Sequence, residues 1–425
     1  MGNYSILAGT AKERMKEYVG TICKGVGRPE TRLTADMLFG ISRANDCKLT
    51  EIARALEESI PVKKTVERLR RGLRDFTDIG VLKENYLRMV EKHMDDTTVF
   101  AIDGSDISKP HSVSMEALHT VRDGSTGSYG PGYMTMECVA LTRRHKVPVP
   151  IYEKVFSPAE PGFVSEDAEV LTLLRLLSER YGHSGVRVLD RGFDANVYIK
   201  HFAAHKEHFV MRVKSNRIVH HKGKSINIEK LAACYKGKFA MTCKLHGQDV
   251  PLKMTGIPIT LPAFGERPFN LVVVYGFGEK PMLLLTNCDS PDTRLAAAIA
   301  RVYMLRWRIE DNFRFQKQQY NFEDFRVRSL SAIRSLHTLV SLLSGLLALL
   351  SRNMDNAFQV ELARAAKHIP KKTQTFFHYL LADGLRRAFQ GVTKGIRHLF
   401  PPLRCTQSFQ LSFFDAFPAL FPFLL

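Results

Sequence analysis

Two short apolar stretches that end in aspartate, Val99-Phe100-Ala101-Ile102-Asp103 and Val186-Arg187-Val188-Leu189-Asp190, indicate the fold of this chain. Both are rich in β-branched, aromatic and aliphatic residues, so each predicts a buried strand. In open sheets built from strands and helices, functional groups gather at the carboxyl ends of the strands. Asp103 and Asp190 are therefore candidate site residues.

The segments around these two stretches predict a mixed sheet. Strand candidates at residues 133–141 and 147–156, joined by a basic turn at residues 143–146, extend the first stretch into an antiparallel meander of three strands. A capped helix over residues 165–180 precedes the second stretch, and a further helix and strand follow it. The order of strands and helices predicts an α/β fold in which a mixed sheet is flanked by helices.

The charge of the chain narrows the class of partner. Its 425 residues include 61 Lys plus Arg against 43 Asp plus Glu, a formal net charge of +18. Such an excess favours a polyanionic partner, which means nucleic acid or an anionic membrane surface, and we favour nucleic acid. The seven cysteines are scattered and form no CxxC pair, which argues against a zinc or redox site.

Nothing in the hydropathy pattern predicts export or a membrane anchor. The start of the sequence lacks the apolar run of a signal peptide, so we expect a cytoplasmic protein. The longest apolar region, residues 336–350, contains His337 and several hydroxyl residues and is shorter than a spanning helix requires. We interpret it as a core helix.

A third acidic candidate lies in a segment predicted to be one helix over residues 293–317. At about 100° per residue, Tyr303, Arg306, Glu310 and Lys317 share an arc about 60° wide that borders the apolar face. This stripe fits a site, but it equally fits a surface ladder of ion pairs, each worth only about 0.3–0.5 kcal/mol. The helical geometry alone does not decide between the two interpretations.

The spacing Tyr-x2-Arg-x3-Glu-x6-Lys matches the Y-R-E-K signature of bacterial insertion-sequence transposases with a DDE active site. The stretch from Phe100 to Ser105 resembles the first motif of that family, with Ser105 where Thr is commoner. The stretch from Val188 to Asp194, which contains Asp-Arg-Gly, is similar to the second motif. The resemblance covers roughly residues 97–330.

The resemblance implies an RNase H-like core with Asp103, Asp190 and Glu310 as the catalytic carboxylates. Glu310 can meet the two aspartates only if the intervening segment loops out and the helix folds back against the sheet. Three carboxylates at one point repel each other unless cations are bound, and oxygen ligands suit Mg²⁺, or Mn²⁺ in its place. We expect two such ions.

The same resemblance implies contacts with DNA phosphates for Tyr303, Arg306 and Lys317. The alternative is that these residues hold Glu310 in place. A basic run on and after the predicted strand at residues 209–213 is expected to follow the DNA backbone, although a solvated loop fits it too: Arg212, Lys214 and Arg217.

We therefore predict the following regions along the chain: a helical N-terminal DNA-binding region at residues 1–95, the first part of the core at 96–214, a β-rich insertion at 215–290, the second part of the core at 291–350, and a helical C-terminal region for dimer contacts at 351–425. Within the first region, residues 49–58 and 62–73 resemble a helix-turn-helix, and an ordinary helical hairpin with a basic face is an equal alternative.

The predicted function is metal-dependent cleavage and strand transfer at insertion-sequence ends. The expected partners are double-stranded DNA, namely the terminal inverted repeats and the target, and a second copy of the chain in a synaptic homodimer. Three alternatives remain: a catalytically silent repressor of transposition, a structure-specific nuclease, and a peripheral membrane protein that uses the Phe-rich tail at residues 412–425.

Overall fold

A computed structural model of the chain describes residues 2–124, 126–142, 146–245, 248–288, 293–352, 354, 356–367, 376–392, 395–396 and 400. Most of the basic turn at residues 143–146 and the whole Phe-rich tail at residues 412–425 lie outside the described residues.

The N-terminal region consists of helices, as the sequence predicts: α1 (Gly2–Ile22), α2 (Arg28–Ala44), α3 (Leu49–Leu56), α4 (Val62–Arg74) and α5 (Ile79–Glu91). α2, α3 and α4 pack against one another. The crossing of α2 and α3 is close, because a Cβ added at Gly40 would lie 2.5 Å from Ile52 Cγ2. α4 buries Leu69 and Leu73 and exposes a basic face that includes Arg70. This arrangement fits both the helix-turn-helix and the hairpin interpretation.

The first part of the core alternates strands and helices: β1 (Val99–Ser108), β2 (His119–Arg122), β3 (Tyr129–Leu141), β4 (Val149–Phe156), α6 (Glu166–Tyr181), β5 (Val186–Leu189), α7 (Asn196–His205) and β6 (His208–Arg212). β3 is antiparallel to β1 and β4, which confirms the predicted meander. β5 is parallel to β1 and β6 is parallel to β5. The resulting order, β4-β3-β1-β5-β6, is the RNase H-like arrangement.

The two faces of this sheet are covered by different hydrophobic cores. Phe100 and Ile102 of β1 belong to one core, and Val99 and Ala101 belong to the other. Successive side chains of a strand point to opposite faces, so a strand buried on both faces reads as a continuous apolar run. This burial explains why the stretch that leads to Asp103 is apolar at every position.

Residues 215–290 are β-rich, and they contain β7 (Ile218–His221), β8 (Lys224–Asn227), α8 (Ile228–Ala233), β9 (Phe239–Leu245), β10 (Gln248–Thr260), β11 (Pro268–Tyr275) and β12 (Met282–Thr286). The expectation that this segment loops out of the core is wrong. β12 pairs with β6, with Leu285 opposite Met211, so the segment continues the same sheet. The described residues form one sheet of twelve strands in the order β2-β3-β1-β5-β6-β12-β11-β10-β7-β8, with β4 on β3 and β9 on β10.

Helices complete the described chain: α9 (Thr293–Leu305), α10 (Arg308–Gln319), α11 (Leu330–Ser351), α12 (Ala357–Ala365) and α13 (His378–Gln390). The single helix predicted over residues 293–317 is therefore two helices. Trp307 N–H bonds to Met304 O and Glu310 N–H bonds to Trp307 O, which are tighter i to i+3 turns. No Gly or Pro lies in this segment, so the tertiary contacts of the turn, and not a helix-breaking residue, account for the break.

α9 lies across β1, β5, β6, β10 and β11, so strands of the core and of the insertion support it together. α11 is long and apolar enough to cross a membrane by length and composition alone, but 83% of its most apolar window is buried. It packs against β4 and α4. The prediction of a core helix in this region is confirmed.

Candidate active site

The two candidate aspartates lie side by side where the parallel pairing of β1 with β5 ends. Asp190 follows the last residue of β5, as the sequence predicts, whereas the prediction that the first strand ends at Asp103 is wrong, because β1 continues to Ser108 in its pairing with β3. The register of β1 and β5 pairs Ile102 with Leu189, and each aspartate is the next residue in its strand direction. Neighbouring strands are about 4.8 Å apart, so the structure brings Asp103 and Asp190 together.

Glu310 reaches this pair from the first turn of α10. Arg306, in the tight turn between α9 and α10, forms an ion pair with Asp103, and its Nη2 donates to Glu310 Oε1 at 2.9 Å. The Arg306 side chain is only 4% exposed, whereas that of Glu310 is 48% exposed. Three carboxylates from distant parts of the sequence thus surround one edge of the sheet, with a buried guanidinium between two of them.

Tyr303 is fully buried beneath this cluster, and its hydroxyl donates a hydrogen bond of 2.6 Å to Asp190 Oδ1. Arg212, at the end of β6, places its Nη1 4.0 Å from the same oxygen. The structure therefore places Tyr303 and Arg306 on the carboxylates themselves. Of the residues predicted either to contact phosphates or to hold Glu310 in place, Arg306 contacts Glu310, whereas Tyr303 contacts Asp190.

The environment separates the pKa values of the two aspartates. Burial raises the pKa of Asp103 to about 6; the Arg306 charge opposes this rise, and the charges of Asp190 and Glu310 add to it. Burial also raises the pKa of Asp190, but the Tyr303 hydrogen bond and the Arg306 charge outweigh it and leave the pKa below its usual value. Asp103 is consequently the aspartate that takes up a proton more readily, and Asp190 is the one held in its ionised form.

Lys317 lies on the same side of α10 but contacts other carboxylates. Its Nζ is 3.0 Å from Glu323 Oε1 and 3.6 Å from Asp106 Oδ2. Asp106 lies three residues after Asp103 on β1, so Lys317 connects the signature helix to the rim of the site.

The predicted basic run after β6 divides into two kinds of residue. Arg217 forms an ion pair with Asp194 and donates to Asn196 Oδ1 at 2.9 Å. The backbone N–H of Lys214 donates to Asp194 Oδ2 at 2.7 Å, while the Lys214 side chain is exposed. Arg217 therefore fixes the loop, and Lys214 is the cation that faces solvent.

Sequence reasoning missed Glu137, which lies directly opposite Asp103 in the pairing of β1 with β3. This buried carboxylate accepts hydrogen bonds from Asn312 Nδ2 at 3.2 Å and from His337 Nε2 at 2.9 Å. It thereby ties α10 and α11 to the catalytic edge of the sheet. The available signal was a carboxylate inside the apolar run of β3, since buried charges are rare unless they are paired.

The donor chemistry of the cluster fits a hard divalent cation. Asp103, Asp190 and Glu310 offer only oxygen ligands, and a bound cation would offset the repulsion between their negative charges. Among the described residues, no three His, Cys, Asp or Glu side chains already stand in a metal-binding arrangement.

Comparison with known proteins assigns the chain to a class. The sequence profile described as the transposase DDE domain matches residues 95–345, which is more than half of the chain. The chain therefore belongs to the DDE transposase family, whose members generally use divalent metal ions.

Among solved structures, the chain is similar to a piggyBac transposase in a cryo-EM structure of the synaptic complex with hairpin DNA. The TM-score is 0.49 and the identity 12%, over 89% of this chain and 74% of that chain. No curated protein matches the sequence.

Proposed function

We propose that the chain is a transposase that nicks DNA at insertion-sequence ends and joins the freed ends to target DNA, as the Y-R-E-K signature of bacterial insertion sequences suggests. The observation that carries this proposal is the convergence of Asp103, Asp190 and Glu310 at one edge of the sheet. Asp190 and Glu310 are 120 residues apart in sequence (310 − 190), so local helical or strand geometry does not explain their proximity.

The three carboxylates would hold two Mg²⁺ ions, with Mn²⁺ as a substitute because it takes the same oxygen ligands. When bound, such ions supply Lewis-acid activation of the attacking oxygen and stabilisation of the leaving oxygen. The protein provides the fixed positions of the ligands. Asp190 is set by Tyr303 and by the end of β5, and Glu310 by the first turn of α10.

The proposed reaction has two displacements at phosphorus. In the first, a water oxygen attacks the phosphate at the element end, the bond from phosphorus to the 3′-oxygen breaks, and that oxygen takes up a proton to become a 3′-hydroxyl. In the second, this 3′-hydroxyl attacks a phosphate of the target strand and displaces the 3′-oxygen there. Each step exchanges one ester or water oxygen for another, so no oxidant, reductant or nucleotide is needed.

The roles of the surrounding cations follow from their contacts. Tyr303 and Arg306 position the carboxylates, because both are buried and bound to them. We assign the phosphate contacts to Arg212, which is partly exposed beside Asp190, and to Lys214, which is exposed. Lys317 contacts DNA only if it leaves Asp106 and Glu323.

Partners and location follow from the same proposal. The net charge of +18 suits double-stranded DNA as substrate. Cleavage at two inverted repeats requires at least two active sites, which we assign to a homodimer in the synaptic complex. We place the protein in the cytoplasm with the nucleoid, where its DNA is.

The test is a Mg²⁺-dependent cleavage and strand-transfer assay on the DNA that flanks the gene. Wild type is expected to cut the ends and join them to target, whereas Asp190→Ala and Glu310→Ala bind the ends but do neither. Asp311→Ala is the matched control, because Asp311 follows Glu310 on the same helix but pairs with Arg308 at 2.9 Å.

Three results would contradict the proposal. A wild-type chain that binds the ends but never cuts them is a repressor. One that cuts but never joins is a nuclease. Equal loss of activity in Asp311→Ala would mean that disruption of α10, and not the loss of a ligand, explains the Glu310 result.

A further inference from the structure

The hairpin that joins β2 to β3 stands on the rim of the candidate active site. Asp123 N–H bonds to Ser128 O at 2.9 Å, and Gly127 N–H bonds to Asp123 O at 2.8 Å, so the turn is closed by its own backbone. Gly124 N–H donates to Asp106 Oδ1 at 3.1 Å. The described residues of the hairpin are therefore fixed to the strand that carries Asp103.

Tyr129 is the first residue of β3 and projects from this hairpin with 74% of its surface exposed. It is the only exposed Phe, Tyr or Trp side chain among those that the structure describes. Gly130 follows it, and a Cβ added there would meet nothing within 4 Å. The Tyr129 ring is therefore exposed to solvent, whereas aromatic rings in proteins are normally packed against apolar neighbours. An exposed ring of this kind is available to contact a ligand.

Arg122 is the cross-strand partner of Tyr129 at the end of the hairpin. Its side chain is exposed, and within the described part of the chain it forms no ion pair. An aromatic ring next to an unpaired guanidinium is the combination with which proteins bind exposed bases and the adjacent phosphates. The hairpin therefore presents a surface suited to DNA.

The position of the hairpin suits nucleotides close to the cut. Asp106, to which Gly124 is bound, is three residues beyond Asp103 on β1, a distance of about 10 Å at about 3.4 Å per residue. Lys317 of α10, the helix that carries Glu310, contacts the same Asp106 carboxylate at 3.6 Å. The anchor of the hairpin therefore lies beside the elements that hold the three carboxylates.

We propose that this hairpin is a DNA-contacting element in which Tyr129 stacks on a base near the scissile phosphate and Arg122 binds the adjacent backbone. The inference rests on the proposed function, because it needs a DNA end at the carboxylates. It adds to that function a contact outside the acidic cluster. The Gly-rich turn holds this contact at a fixed distance from the catalytic strand.

The experiment uses the full chain and the DNA that flanks its gene, with the fluorescent base 2-aminopurine placed in turn at each position next to the cut. Fluorescence is measured on binding in EDTA, and cleavage of the unmodified DNA is measured separately with Mg²⁺. The variants are Tyr129→Ala, which removes the ring, and Tyr129→Phe, which keeps it. Val113→Ala is the surface control, since Val113 is 95% exposed in the preceding loop.

Wild type and Tyr129→Phe should change the fluorescence of 2-aminopurine at one position near the cut, and Tyr129→Ala should lose that signal. Cleavage by Tyr129→Ala should fall by about 5- to 150-fold, the range expected for one lost base–aromatic stack. Val113→Ala should match wild type in both assays.

Two outcomes overturn the inference, and they are distinguishable. If wild type cuts the ends while Tyr129→Ala keeps both the fluorescence pattern and the cleavage rate, the hairpin does not stack on DNA and the proposed function stands. If wild type neither binds nor cuts the ends, the proposed function fails and the inference fails with it.

Discussion

Tyr303 donates a hydrogen bond of 2.6 Å to Asp190 across 113 residues of sequence. This contact links α9 to the end of β5, and it holds the carboxylate in its ionised form, because a hydrogen bond to the charged form lowers the pKa. The tyrosine of the signature therefore acts on the orientation and charge of the second aspartate.

Tyr303→Phe tests this role, because it removes the hydroxyl and keeps the ring. Hydrogen bonds to charged groups contribute about 1.5–3 kcal/mol, so we expect Mg²⁺-dependent cleavage to fall by about tenfold or more. DNA affinity, measured by fluorescence anisotropy, should stay within about twofold of wild type, a difference of about 0.4 kcal/mol. A large loss of affinity with an unchanged rate of the bound complex would instead assign Tyr303 to DNA contact.

Arg306 holds together two carboxylates that would otherwise repel each other. Arg306→Gln leaves Asp103 buried without its counter-charge, and we expect the free energy of unfolding to fall by about 3 kcal/mol in EDTA. Excess Mg²⁺ should restore part of the loss, since a bound cation supplies the missing charge.

Urea unfolding with and without Mg²⁺ measures both effects of Arg306→Gln. Arg314→Gln on the following helix, α10, is the control, because the Arg314 side chain is 59% exposed. An equal loss of stability in both variants would show that Arg306 has no special role.

The raised pKa of Asp103 predicts a pH dependence of stability. Burial raises the pKa to about 6, so between about pH 4 and pH 6 the folded protein binds a proton that the unfolded chain has lost. The stabilising effect of this proton is present at low pH and is lost as the pH rises through 6. We expect the metal-free protein to lose up to about 3 kcal/mol over this window.

The asparagine of the Asp103→Asn variant does not titrate. A comparison with wild type therefore isolates the contribution of Asp103 to the pH dependence of the free energy of unfolding. Urea unfolding in EDTA at about pH 4.5 and about pH 7 should show a stability difference between wild type and variant that changes with pH. A constant difference would contradict the raised pKa.

Lys214 and Arg217 are predicted to differ although they are neighbours in the basic run. Lys214→Ala should weaken DNA binding and reduce the slope of log affinity against log salt by about one, as expected for one lost phosphate contact. Arg217→Ala should mainly lower the free energy of unfolding, by about 3 kcal/mol, because it leaves the buried Asp194 carboxylate unpaired.

Salt-dependent binding and urea unfolding of both variants separate these roles. If Arg217→Ala keeps wild-type stability and reduces the salt slope, Arg217 contacts DNA and its pairing with Asp194 is of little consequence.

The strands that carry Asp103 and lead to Asp190 could be predicted from sequence, because burial on both faces leaves a continuous apolar run; the continuation of β1 to Ser108 could not, because polar residues follow Asp103. Glu310 was predicted from the resemblance of its spacing with Tyr303, Arg306 and Lys317 to the Y-R-E-K signature. The contacts of Arg306 could not be predicted, because Asp103 lies 203 residues away and a helical wheel shows only neighbours on the same helix. The turn at Trp307 was missed for a related reason, since no helix-breaking residue marks it.

The pairing of β12, in the insertion, with β6 of the core could not be predicted from the sequence either. The alternating runs of β11 and β12 predict strands, but no local signal shows that Leu285 lies opposite Met211 of the core. Register between distant strands depends on how both faces of the sheet are buried, and this is settled only when the helices are in place.

The pairing of β6 with β12 has a consequence for attempts to shorten this protein. β6 is an interior strand whose residues Phe209, Val210 and Met211 are all buried. If residues 215–290 were cut away, β6 would become an open edge with a row of unsatisfied backbone amides and carbonyls beside apolar side chains. Such an edge is a template for association with other chains, so we expect the shortened chain to aggregate.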